Sequence, residues 1–223
     1  MIYAAIIPNR GSERKLFVEW QKQRAYDCGY DHVFVIDYEP RSNAIDIYER
    51  IALGVSVAKK VNADYCSIIE SDDFYGLDYL DTIKKRIEPQ TEIFGINQTI
   101  YYHLFSTGWK RMSHPGRSSL FCTTFKTGAF DKLPQVPSSK PYIDIEWWKD
   151  QNVVKQLIND DLAVGIKHGN VFGRIGGNGH IMHYTKYDLH LTLLKGVLDA
   201  DAFEFFRGVK ALYQLTWQQG LKA

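Results

Sequence analysis

Three carboxylates stand almost side by side in the segment IIESDDFYGLDYL: Glu70, Asp72 and Asp73. Like charges this close repel unless something positive joins them, and hard carboxylate oxygens suit Mg²⁺ or Mn²⁺ bridging to phosphate oxygens. The bland alternative is a solvated acidic turn leading into a helix around Tyr79. A second acidic pair, Asp144 and Glu146, sits beside Trp147 and Trp148 in YIDIEWWKD. Late in the chain, IKHGNVFGRIGGNGHIMHY carries His168, His180 and His183 in a glycine-rich setting. Lys110, Arg111, His114 and Arg117, with Trp109, form a local basic and aromatic patch. Stacking or anion binding is one use for it, and a solvated hairpin loop is the plainer one.

The elements that must position these groups follow from periodicity. Tyr3 to Ile7 reads as a buried strand, followed by a helix that Ser12 can cap, with Leu16, Phe17 and Trp20 on one face and Gly29 ending it. HVFVID, His32 to Asp37, is a second strand, and Ile47, Ile51, Val55 and Ala58 make the stripe of a second helix. YCSII, Tyr65 to Ile69, is a third strand, so the acidic cluster stands at a strand's carboxyl end, where open α/β sheets bind ligands. Leu80, Ile83 and Ile87 then mark a helix that Pro89 stops. From Glu92 the pattern changes to strands joined by a loop over Thr107 to Arg117, then a helix over Glu146 to Ile158 and a terminal helix from about Ala202 to Leu221. The fold class expected is α/β, a mainly parallel Rossmann-like sheet flanked by helices with an antiparallel extension.

Bulk properties narrow the classes. A chain of 223 residues with 45% hydrophobic and 24% charged residues suits a single globular domain with its own core. A formal charge of +1 gives no global attraction to polyanions and argues against a dedicated nucleic-acid binder. Cys28, Cys66 and Cys122 are odd in number and scattered, without a Cys-x-x-Cys pair, as expected of reduced thiols. The run Ile2 to Ile7 is too short for a signal peptide, and no window reaches the roughly 20 apolar residues of a membrane span. A soluble, cytoplasmic protein is the expectation.

With Glu70, Asp72 and Asp73 after the third strand of a β-α-β-α-β pattern, the chain resembles the family 2 type of glycosyltransferases with the glycosyltransferase A fold. Residues 1 to 90 carry the resemblance and the remainder follows it loosely. It implies a nucleotide-binding half over about 1–90, an acceptor half over about 91–200 and a C-terminal helix over about 201–223. It also implies transfer of a sugar, with inversion, from a nucleotide-diphosphate donor, UDP-linked by resemblance alone, in the presence of Mn²⁺ or Mg²⁺. Pro8, Asn9 and Arg10 would edge the nucleotide pocket, Arg10 as a forked donor to phosphate. Asp37 would take the base or ribose, or merely begin a turn. Where family members often carry a plainer Asp-x-Asp, this chain reads Glu-Ser-Asp-Asp, so Asp73 is the first choice for direct metal ligation and Asp72 the second. Glu70 is assigned to support or to the sugar.

An inverting transfer needs a base for the acceptor hydroxyl. Asp144, expected just before a helix starting near Trp147, is preferred over Glu146, with plain helix capping as the alternative. The resemblance lets a late histidine complete the metal site, His180 or His183, which at i, i+3 line one side of a turn. The surrounding glycines would let backbone close over a diphosphate. GRIGG lacks the Gly-Lys-Ser/Thr ending of a P-loop and follows no strand. The acceptor stays open among a glycan, a small molecule and a modified nucleic-acid base. A nucleotidyltransferase and a non-catalytic carbohydrate-binding protein are the rival readings.

Overall fold

The structure is a computed structural model that describes residues 1–9, 14–39, 46–137, 142–168, 184 and 186–218. Apolar runs alternating with amphipathic stretches give β1 (Tyr3–Asn9), α1 (Lys15–Asp27), β2 (His32–Asp37), α2 (Ile47–Lys60) and β3 (Tyr65–Ile68). Tyr3 to Ile7 are all buried, as a central strand covered on both faces requires. β1 pairs in parallel with β2, from Ala4 opposite His32 to Asn9 opposite Asp37, and with β3, from Tyr3 opposite Tyr65 to Ile6 opposite Ile68. Its side chains alternate between faces: Ala4 and Ile6 join Ile51, Val55 and Ala58 of α2, while Tyr3, Ala5 and Ile7 meet Ala25 and Cys28 on the other side. α2 comes so close that a Cβ on Gly54 would stand 2.5 Å from Ile6 Cγ2. Past α1 the chain turns at Gly29, φ +89°, a left-handed conformation that disfavours any residue with a Cβ.

The rest of the chain adds β4 (Phe74–Tyr75), α3 (Tyr79–Arg86), β5 (Ile93–Ile96), β6 (Gln98–His103), β7 (Gly108–Ser113), β8 (Thr123–Lys126) and α4 (Ile143–Lys149). β9 (Lys155–Ile158), β10 (Ala163–Lys167), β11 (Lys186–Tyr187), α5 (Thr192–Val197) and α6 (Ala200–Gln218) complete it. A six-stranded sheet runs β2-β1-β3-β8-β5-β9 and a five-stranded sheet runs β11-β7-β6-β10-β4. In the first, only β8 runs antiparallel to its neighbours, β3 and β5; β5 and β9 pair in parallel. The second sheet is the antiparallel extension, with β6 and β10 its one parallel pair. The expected α/β class is the observed one.

Three local expectations need correction. The stretch Thr107 to Arg117 is not simply a loop: residues 108–113 form β7, paired with β6. Arg111 and Ser113, exposed on one face of this strand, and the partly exposed Lys110 on the other give the stretch its loop-like polar reading. The helix expected over Glu146 to Ile158 stops at Lys149, and 155–158 is β9. Asp150 leaves helical geometry at ψ 137° and its carboxylate accepts the Asn152 N–H at 2.6 Å, an Asx turn that offers the backbone an alternative to the helix. Asp144 does not precede its helix but lies in the first turn, which starts at Ile143.

α6 closes one side of the molecule. Asp199 accepts the Ala202 N–H at 3.0 Å at its amino end and pairs with the buried Arg24 of α1. Phe206 and Val209 pack with Phe17 against Ile100, Tyr102, Val164 and Ile166 of the second sheet. Among the described residues no helix is long and apolar enough to cross a membrane.

Candidate active site

Residues 69–73 leave β3 in the six-stranded sheet and enter β4 in the five-stranded one, so the acidic cluster forms one of the covalent crossings between the sheets. The Ile69 N–H still reaches the Ile6 carbonyl at 2.9 Å. Tyr75 pins the crossing: its hydroxyl accepts the Glu70 N–H at 2.9 Å and donates to the Phe121 carbonyl at 2.9 Å. Ser71, Asp72 and Asp73 are buried, and Glu70 is partly exposed.

Asp72 is gripped from two sides. Arg14 Nη1 donates to Oδ1 at 3.1 Å and His168 Nε2 to Oδ2 at 2.8 Å. Burial by itself would raise this carboxyl, but Arg14 and the His168 bond outweigh it and hold Asp72 below the usual carboxylate range. His168 is fully buried, its ring stacked on Phe17 at 5.4 Å.

Asp73 has the opposite character. Its Oδ1 accepts the Ile166 N–H at 2.7 Å, with Lys167 Nζ at 3.5 Å, while Oδ2 has no hydrogen-bond partner among the described residues. Burial pushes Asp73 well up, and the charges of Glu70 and Asp72 add to it against Lys167. Glu70 is raised as well, by burial first, with Asp72 and Asp144 adding and Lys167 opposing. Burial works against the charged form of Lys167, yet Asp73 and Glu70 overcome it and keep the ammonium protonated. That ammonium lies 5.1 Å over the Tyr101 ring and 5.8 Å over Phe121. The centre therefore joins one carboxyl held low by its cationic and hydrogen-bonding partners, two pushed up by burial, and the cations Arg14 and Lys167.

The other expected residues fall at three places. Pro8 and Asn9 end β1, and Asp37, exposed, ends β2 directly opposite Asn9. Asp144 and Glu146 occupy the first turn of α4. Asp144 is ion-paired to Arg117 and raised by burial in spite of it, and its charge is felt at Glu70. Arg10, Ser12, His180 and His183 and the glycine stretch around the two histidines lie outside the described residues. Within the basic patch, Arg111 pairs with Asp161, Arg117 pairs with Asp144, and His114 Nε2 lies 3.0 Å from Ser119 Oγ.

Arg14 and Lys167 are not assigned to the site from sequence, and His168, singled out there with His180 and His183, is not the histidine preferred for it. Lys167 and His168 follow the buried run AVGI, and the strand-end rule that found the acids applies equally to them. Arg14 sits in the polar stretch RGSERK, which has no periodic signal.

The resemblance implies a divalent ion, and the described residues do not fit one by themselves. Both Asp72 oxygens are already taken, one by Arg14 and one by His168, and Asp73 is enclosed with Lys167 at its side. Of the cluster's described carboxylates, Asp73 Oδ2 and Glu70 remain as hard donors, and no group of three or more His, Cys, Asp or Glu among the described residues is placed to hold a metal.

A mostly parallel sheet, a smaller second sheet and acids at the crossing define a class, and the solved structures agree on it: the fold is of the glycosyltransferase A type. The chain is similar to residues 1–349 of S. aureus TarS in complex with UDP-GlcNAc, at a TM-score of 0.55 and 10% identity over 76% of this chain and 59% of that one. It is similar also to a glycosyltransferase involved in glycosylation of the major capsid of PBCV-1, at a TM-score of 0.50 and 11% identity over 74% of this chain and 92% of that one. The chain thus spans about three fifths of the TarS fragment and nearly all of the PBCV-1 enzyme. No family model and no curated protein matches the chain in sequence.

Proposed function

We propose that the chain transfers a sugar, with inversion, from a nucleotide-diphosphate sugar to an acceptor hydroxyl. The observation that carries this reading is the set of carboxylates and fixed cations, Glu70, Asp72, Asp73, Arg14 and Lys167, at the carboxyl end of β3 in a glycosyltransferase A-type fold. A neighbour of the same fold holding UDP-GlcNAc supports a UDP-linked donor.

In this reading the rim of Pro8, Asn9 and Asp37 takes the nucleoside, with Asp37 accepting from ribose or base. Arg14 and Lys167 face the charge that grows on the departing diphosphate, where a preorganised cation lowers the barrier most. Glu70 accepts from the sugar hydroxyls. Asp144 takes the acceptor proton as the hydroxyl oxygen attacks the anomeric carbon; the raised affinity of this carboxyl for protons makes it a better base than an ordinary aspartate. Mn²⁺ or Mg²⁺, carried in with the donor, would supply neutralisation of diphosphate charge alongside Arg14 and Lys167. The acceptor belongs to one of three classes: glycan, small molecule or modified nucleic-acid base.

The test is donor consumption from a panel of nucleotide sugars, with and without Mn²⁺, by wild type and Asp144→Asn. Expected is turnover of one nucleotide series by wild type and a loss on the order of 100-fold in the variant with donor affinity kept. Absence of turnover for every donor sinks the reading. Glycan binding without turnover would identify a carbohydrate-binding protein, and pyrophosphate release from a nucleoside triphosphate and a sugar phosphate a nucleotidyltransferase.

A further inference from the structure

The ladder between β1 and β2 ends at Asn9 opposite Asp37. Past that pair no ladder bond between described residues sets the spacing of the two strand ends, yet these ends form the rim assigned above to the nucleoside. Arg50, reaching up from α2, takes over there. Its Nη1 donates to the carbonyls of Asn9 and, at 3.2 Å, Ile36; its Nη2 donates to the Tyr38 carbonyl at 2.7 Å and to Asp46 Oδ2 at 2.9 Å. The guanidinium carbon lies 3.9 Å from the Tyr38 ring centre. At 1% exposure Arg50 is among the most buried charged residues described.

Burying a cation this completely is costly, and pairing with Asp46 alone would not need a fork. What the fork adds is simultaneous contact with backbone from both strands. A lysine keeps the charge but, as a point donor on a flexible stem, cannot hold three carbonyls and a carboxylate in one plane.

We propose that Arg50 is a positioning residue for nucleoside binding: it fixes the separation of the β1 and β2 ends, and with it the placement of Asn9, Asp37 and the Tyr38 backbone. The inference rests on the nucleotide-sugar reading and assigns Arg50 to affinity for the nucleotide half of the donor, not to the transfer step.

The experiment measures UDP, ADP, GDP and CDP binding by calorimetry, in MnCl₂ and in EDTA, together with kcat and KM on the best donor. Arg50→Lys is compared with Val55→Ala, which loosens the core under the same helix without touching the rim. Arg50→Lys is expected to weaken the preferred nucleotide about tenfold or more and to raise KM in step, with kcat within about twofold of wild type. Val55→Ala is expected to bind as wild type does. Equal binding by Arg50→Lys and wild type, or equal weakening in Val55→Ala, overturns the inference while leaving the proposed function standing. A wild-type protein that binds none of the four overturns both. Should Arg50→Lys not fold, Asp46→Asn, which removes the outer anchor of the fork, takes its place: a loss of about threefold in affinity supports the proposal, and unchanged binding overturns it.

Discussion

Asp72 and Asp73 are neighbours in sequence with opposite titration behaviour, because one carboxylate meets Arg14 and His168 while the other is enclosed with an oxygen that no described group satisfies. The acids themselves were legible, since a charged string at a strand's end is a local pattern. Their partners were not: Arg14 is 58 residues away from Asp72 and His168 is 96 away, and nothing local announces such a contact. Two predictions belong here. Burial raises Asp144 against Arg117, so as a base it loses activity on the acid side at a higher pH than an ordinary aspartate would. In Arg117→Met that limb is expected to move further up, read from kcat/KM against pH; a limb that stays put removes Asp144 from the base role. His103, by contrast, is a matter of stability. Its Nδ1 accepts the Ser106 N–H at 3.1 Å, and burial first, then the His168 charge, lowers its pKa from 6.5 to about 4. The unfolded chain binds this proton between those values and the folded one does not. Stability is therefore complete above pH 6.5 and falls as pH drops toward 4, by about 2–3 kcal/mol from this group. Urea unfolding at both ends of that window should show a smaller pH difference in His103→Asn than in wild type.

At the scale of elements, the first three strands and two helices follow directly from periodicity, because each is buried in a way its own residues record. β7 and β9 escaped because their evidence lies in partners: β7 carries polar or basic residues on both faces, and β9 is partly exposed along its whole length. The domain-level pattern, α/β with an antiparallel extension, survived these local errors since it depends on the number of crossovers and not on their boundaries. Gly54 supplies a test of helix–strand approach that sequence alone did not suggest. Alanine is the better helix former by about 1 kcal/mol, yet its methyl would press on Ile6, and overpacking of this kind costs about 1–3 kcal/mol. Gly54→Ala is thus expected to lower stability by about 1 kcal/mol in chemical denaturation; a stabilised variant would show that α2 can back away from β1.

Across the whole molecule, Cys28, Cys66 and Cys122 are free and buried. Burial raises Cys28 and Cys66 to about 11 and Cys122 well above its ordinary range. Iodoacetamide at pH 8 is expected to modify the native protein about 100-fold more slowly than the unfolded chain, where all three react; rapid labelling of the native form would mean that the core opens readily. The crossing at residues 69–73 has a wider consequence. Because this short segment borders both sheets, as the links from β5 to β6 and from β9 to β10 also do, and because Asp73 reaches into β10 while Asp72 reaches the start of α1, the two sheets are tied at several points and are expected to melt together. The chain should unfold in one transition, and a molecule lodged at the crossing should shift that transition as a whole, by about 2.7 kcal/mol at a hundredfold excess over its dissociation constant. The melting curve is then a built-in detector of occupancy, usable on candidate donors before any acceptor is known.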